Sequence, residues 1–202
     1  MRAMGVLAAL AAGVASADAA PVECAPIQND LDRLACYDRE VGRTPTATHI
    51  PVTKGKWVVH SQKSALTDKI DAYASLESDE VVNCGWNNGA KIELVVRCLD
   101  NRTAVYFHTG CHMTSSEYDS YGDVTYRVDD EKARTVGMFA STDNRSLGLW
   151  RGGPAIQIIK QMFGKSRLVT KMTPYSESPF TATFSIAGLE EAAKPVREAC
   201  NW

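Results

Sequence analysis

Five polar residues stand where chemistry could gather: Arg97, Arg127, Asp129, Ser141 and Asp143. Arg127 and Asp129 lie two apart in a β-rich run, so on a strand both point to one face. Ser141-Thr142-Asp143 closes the next run, and Ser64 to Asp68 precedes an earlier one. Brought together with Arg97, these groups make a polar binding patch that sets guanidinium against carboxylate and hydroxyl. Kept apart, they are surface ion pairs and Asp/Ser turns. A paired-carboxylate hydrolase would have to use Asp129 and Asp143, but sequence spacing says nothing of the separation that such chemistry needs.

The run His108-Thr109-Gly110-Cys111-His112 has the ingredients of a metal site. Zinc would need a fourth ligand and a free Cys111 thiolate. A chain with paired cysteines supplies no thiolate, so these are read as loop histidines beside a disulfide, and no metal or cofactor is assigned. Gly164-Lys165-Ser166 lacks the upstream glycine of a phosphate loop and reads as a helix end. Neither a nucleophile elbow nor a zinc-protease helix motif occurs, and no catalytic residue is assigned. Trp57, Trp86, Trp150 and Trp202 could stack on sugars or pack in the core.

The elements that must position these groups are mostly strands. Lys56 to Ser61, Ile70 to Leu76, Lys91 to Cys98 and Thr103 to His108 are β runs, the last three forming an antiparallel meander. Val124 to Val128 pairs with Thr135 to Ser141, and Leu147 to Trp150 is a further short strand. Ile156, Ile159, Met162 and Phe163 give one helix its apolar face, between Gly153-Pro154 and Gly164. Arg167 to Thr173 and Phe180 to Ile186 form a last hairpin, and Leu189 to Ala199 is a helix interrupted at Pro195. The expected fold is mainly β (α+β): an antiparallel, β-sandwich-like domain over 56–202 with two packed helices. A small helical cap over 20–43 and a Thr/Pro-rich linker over 44–55 precede it.

Six cysteines allow fifteen pairings. Cys24 and Cys36 are local partners, but on one straight helix they would lie about 18 Å apart, so pairing requires the segment to fold back. In the meander Cys84 and Cys98 fall at opposite ends of one strand, roughly 20 Å apart. Cys111 emerges at the same end as Cys84. The expected bridges are therefore Cys24–Cys36, Cys84–Cys111 and Cys98–Cys200.

Residues 1–19 read as a signal peptide: Arg2, an apolar stretch from Val6 to Val14, and Ala17-Asp18-Ala19 before the cut. Export to the periplasm or beyond fits the paired cysteines. The 202-residue chain carries 22 basic and 24 acidic side chains, and this near-balance argues against a nucleic-acid-binding role. No later run is long and apolar enough for stable membrane insertion.

Several segments together resemble one bacterial family. They include Cys24 to Ile27 with Arg33-Leu34-Ala35-Cys36-Tyr37-Asp38, Trp57 and Val59 with Ser64, Leu66 and Asp68, and Leu94-Val95-Val96-Arg97-Cys98. They continue through Tyr126-Arg127-Val128-Asp129, Ser141-Thr142-Asp143, Thr173-Pro174-Tyr175, Ala182-Thr183-Phe184, Gly188-Leu189 and Cys200-Asn201-Trp202. The series is similar to the VasI/TagO family of type VI secretion-associated exported proteins. Cys84 and Cys111 look like additions to that pattern, and the Ser/Tyr-rich segment Met113 to Gly122 departs from it.

The resemblance implies a non-enzymatic periplasmic accessory protein whose partners are envelope proteins of a secretion machine or peptidoglycan. The alternative is an exported cell-wall-active enzyme, or an inhibitor of a cell-wall hydrolase.

Overall fold

The computed structural model describes residues 24–42, 52–117 and 120–202. The expected signal peptide and most of the expected linker lie outside the described residues. The chain forms two units, Met1–Thr48 and His49–Trp202.

In the first unit, helix α1 spans Asp30–Glu40. It starts six residues later than its first cysteine because Asn29 caps it, its Oδ1 accepting the Asp32 amide at 3.3 Å. Asp30 and Asp32 in the first turn and Arg39 in the last complement the helix dipole. Residues 24–28 fold back on the helix, and the Arg33 guanidinium donates to the Ile27 carbonyl at 3.1 Å. This reversal brings Cys24 and Cys36 to a Cα separation of 5.7 Å and joins them. A helix running unbroken from Cys24 could not have done so.

The second unit holds two antiparallel sheets. The larger contains β1 (Val52–Lys54), β2 (Trp57–Lys63), β3 (Ile70–Cys84), β4 (Asn87–Leu99), β5 (Arg102–His108), β8 (Phe139–Ala140) and β9 (Ser146–Leu149), in the order β1-β2-β3-β4-β5-β9-β8. The smaller contains β6 (Asp123–Val128), β7 (Arg134–Gly137), β10 (Leu168–Met172) and β11 (Phe180–Phe184), in the order β11-β10-β6-β7. Within the stretch expected as linker, Val52 to Lys54 form strand β1, which pairs with β2 at the sheet edge. The run expected as one strand from Thr135 to Ser141 divides into β7 and β8, which belong to different sheets.

Helices α2 (Gly152–Gln161), α3 (Leu189–Ala192) and α4 (Lys194–Cys200) complete the unit. The break between α3 and α4 falls beside Pro195, whose missing N–H is harmless in a first turn.

The core follows from strand alternation. Leu94, Val96 and Cys98 on β4 and Val105 and Phe107 on β5 turn inward. They meet Val124 and Val128 on β6, Leu168 and Met172 on β10 and Ala182 and Phe184 on β11. Phe107 and Phe184 lie 5.7 Å apart, centroid to centroid, across the two sheets. Each fully buried side chain of this size contributes roughly 1.5–3 kcal/mol by leaving water. Ile159 of α2, Met162 at its C-cap and Val196 of α4 close the remaining side. Trp57 is fully buried, and its Nε1 donates to the Ile186 carbonyl.

The sheet register settles the other bridges. Cys84 ends β3 and joins Cys111, and Cys98 on β4 joins Cys200 at the end of α4; both pairs have Cα separations of 5.8 Å. A bulge in β3 between Glu77 and Val81 is held by Ser78, whose Oγ donates to the Glu80 carbonyl and accepts the Ile92 amide. The bulge presents Glu80 to β11, where it accepts the Thr183 amide, and Asp79 to Ser185 just beyond that strand, whose hydroxyl donates to it.

Candidate functional site

The larger sheet has a second face, and its residues are those of opposite parity to the core. On β4 these are Glu93, Val95 and Arg97, and on β5 they are Ala104, Tyr106 and His108. Arg97 stands opposite Tyr73 on one side and Ala104 on the other. Tyr106 stands opposite Val95 and opposite Gly148 on β9. Arg97 and Tyr106 are therefore diagonal neighbours, within reach of long side chains. The Arg97 guanidinium lies over the Tyr106 ring, 5.4 Å from its centroid.

Trp150, just after β9, extends this row. Its ring sits 4.9 Å from that of Tyr106, and its Nε1 donates to the Phe139 carbonyl at 2.8 Å. Gly148 makes room, because a Cβ there would lie 2.3 Å from the Tyr106 Cβ. Farther along the same face, His60 and Tyr73 pack ring to ring at 5.0 Å.

Arg97, Tyr106, Trp150, Ser141, Asp143 and Ser146 line an open groove of about 480 Å³. Arg97 Nε is buried without a hydrogen-bond partner, and among the described residues Arg97 makes no ion pair. Trp150 also lines a second, mainly apolar cavity of about 500 Å³, together with Phe139, Leu149, Pro154, Glu117 and Arg151.

The turn 141–145 fixes the acidic side of the groove. The Ser141 hydroxyl donates to Asp143 Oδ1 at 2.5 Å, and the Arg145 amide donates to the same oxygen at 3.1 Å. These two bonds, the hydroxyl first, hold the Asp143 carboxyl below the usual carboxylate range. Asp143 is thus ionised at neutral pH and unsuited to act as a general acid there. Burial pushes the Tyr106 phenol up, opposed by the Arg97 charge.

The structure brings Arg97, Ser141 and Asp143 together and leaves Arg127 and Asp129 elsewhere. Arg127 is exposed on β6, in the smaller sheet. Asp129 follows the end of β6 in a left-handed conformation, φ 46°, and has left the strand geometry that would align it with Arg127. Its carboxylate accepts the Ser166 and Arg167 amides at 3.1 and 2.8 Å, tying β6 to the start of β10. Ser64 to Asp68 form the β2–β3 turn, where the Ser64 hydroxyl accepts the Leu66 and Thr67 amides. They do not line the groove.

Sequence reasoning did not single out Tyr106, Gly148 or Phe139. A signal was present: Val105 and Phe107 fit the core parity of β5, leaving an aromatic, Tyr106, on the outward face.

The histidines of the 108–112 run separate. His108 Nδ1 lies 3.0 Å from Ser146 Oγ on the outward face. His112 stacks on Trp86 at 4.8 Å and packs against Tyr175 at 5.3 Å, while Cys111 is bonded to Cys84. Among the described residues, no three His, Cys, Asp or Glu side chains gather in a metal-binding cluster. Of the tryptophans, Trp57 is core and Trp202 stacks on Phe163. Trp86 and Trp150 face open grooves.

Fold and site together define a disulfide-braced, antiparallel β-sandwich-like protein with an arginine-aromatic groove on its outward sheet face. The chain belongs to the VasI family: the family described as "Type VI secretion system VasI, EvfG, VC_A0118" matches residues 23–202. It is accordingly a type VI secretion-associated protein. Among solved structures it is similar to the crystal structure of invasion associated protein B from Bartonella henselae. The identity is 13% and the TM-score 0.47, covering 76% of this chain and 99% of that one. Comparison with the curated proteins gives no match. Among the described residues, no helix is long and apolar enough to cross a membrane.

Proposed function

We propose that this chain is a periplasmic accessory protein of type VI secretion that binds, without catalysis, an envelope protein of the machine or peptidoglycan. The observation that carries this reading is Arg97, which makes no ion pair among the described residues and is held on Tyr106 at the side of an open groove. Burying part of a guanidinium without an acceptor is unfavourable. A ligand acceptor that meets the guanidinium where Arg97 lines the groove gains a charge-assisted hydrogen bond there.

The cell-wall-hydrolase alternative has less support. Asp129 and Asp143 serve turns associated with different sheets, and both carboxylates already accept backbone amides. The test is genetic and biochemical together. Deleting the gene should stop effector release by the secretion machine, and the wild-type gene should restore it where Arg97→Gln does not. The purified protein should release no soluble fragments from peptidoglycan sacculi. Turnover of sacculi, abolished by Asp143→Asn, would establish the enzyme instead.

A further inference from the structure

We propose that the groove takes the C-terminal carboxylate of a partner polypeptide, whose last side chain, large and apolar, enters the apolar cavity that Trp150 also lines. This rests on the binding role proposed above and names the chemistry of its ligand.

Four features select that chemistry. First, Tyr106 covers one face of the Arg97 guanidinium, so the in-plane N–H groups are what a ligand can meet. A planar fork of donors matches a carboxylate with two parallel hydrogen bonds. Second, Asp143 lines the same groove and is held ionised by Ser141 and the Arg145 amide. A single negative wall beside a single positive one repels polyanions such as polyphosphates. It accepts a ligand whose carboxylate has an N–H donor nearby, as the last residue of a peptide does.

Third, Trp150 is the shared wall between the polar groove and the apolar cavity. A ligand anchored at Arg97 can therefore pass its side chain across Trp150 to Phe139, Leu149 and Pro154. The cavity of about 500 Å³ is far larger than a methyl group needs, which disfavours peptidoglycan stems ending in alanine. Fourth, the edge strand β8 is not free to add a ligand strand. Its Phe139 carbonyl accepts the Trp150 indole and its Ala140 amide donates to Ser115. Side chains of the groove, rather than β-augmentation, must carry recognition.

The experiment is fluorescence anisotropy on the oxidised full mature chain. The probes are labelled hexapeptide pools with a randomised last residue, as free carboxylates and as amides, and one hexapeptide ending in D-Ala-D-Ala. Free-acid peptides ending in Leu or Phe should bind, and amidation should weaken them at least tenfold. Arg97→Gln should bring the free acids to the level of the amides and leave the amides unchanged. Arg97→Lys keeps the charge, loses the fork and should fall between. Near-UV circular dichroism confirms that each variant is folded; if Arg97→Gln is not, Trp150→Ala is read instead and should abolish the preference for a large last residue.

The proposal is overturned if no pool binds, if amides bind as well as acids, or if the D-Ala-D-Ala peptide binds best. The secretion assay separates this failure from that of the broader reading. An Arg97→Gln strain that does not secrete, with no carboxylate binding in vitro, rejects the ligand class alone. A strain that secretes normally rejects the groove.

Discussion

Tyr106 and Gly148 face each other directly across β5 and β9, and the glycine is what lets the tyrosine lie under Arg97. A Cβ at 148 would sit 2.3 Å from the Tyr106 Cβ and 2.8 Å from the Val105 carbonyl oxygen. Gly148→Ala is expected to destabilise the protein by about 1–3 kcal/mol through overpacking. It should also displace Tyr106 from the guanidinium. Urea unfolding measures the first effect, and the near-UV tyrosine signal reads the second.

Tyr106 gives a pH dependence with a definite sign. Burial raises its folded pKa above the ordinary phenol value. The folded state holds this proton more tightly than the unfolded state does. The resulting stability is fully present below the unfolded pKa, about 10, and is lost as pH rises through the folded value. Because Arg97 opposes the shift, Arg97→Gln should move the Tyr106 titration still higher. Ultraviolet titration of tyrosinate, with Tyr106→Phe as the reference, checks both statements.

The acid limb runs the other way. Asp79 is held below its ordinary pKa chiefly by its hydrogen bond to Lys56, with help from Ser185. A depressed folded pKa gives stability that is present above the unfolded value, near 3.8, and lost as pH falls through the folded one. Asp79→Asn should therefore flatten the loss of stability below pH ~4. Chemical unfolding across that range tests it.

Asp129 separates a structural carboxylate from a catalytic one. Its two amide bonds and its positive φ suit Asp or Asn equally. Asp129→Asn should keep stability and secretion near wild type. Asp129→Ala should cost about 1–3 kcal/mol from lost acceptors and backbone strain. Abolition of function by Asp129→Asn in a stably folded protein would refute this assignment.

The bridges should differ in weight. Cys98–Cys200 closes a separation of 102 residues and Cys84–Cys111 one of 27. In the chain-entropy picture the longer loop contributes about 1 kcal/mol more. Replacing Cys98 and Cys200 by alanine should lower the unfolding midpoint more than replacing Cys84 and Cys111. Peptide mapping of the unreduced protein checks the pairs themselves.

The sequence by itself determined what local chemistry can carry. Alternation in Lys91 to Leu94 and in Phe180 to Ile186 marks strands with one buried face, because successive side chains point to opposite sides. Gly153-Pro154 and Pro195 punctuate helices because proline fits only a first turn. The positions of the cysteines along a meander restrict which can meet. Family membership was also legible, since its motifs run in order along the chain.

Only the tertiary structure decided which polar residues share a site. Ser141 and Asp143 reach Arg97 because β9 pairs with β5 across a stretch of sequence that includes two strands of the other sheet. Asp129 fails to reach them because β6 pairs with β10 instead. Strand partners are long-range choices, set by which apolar faces pack against each other, and no local pattern encodes them. The same pairing put a glycine opposite Tyr106 and a tryptophan beside it, so that an outward tyrosine became the support for Arg97.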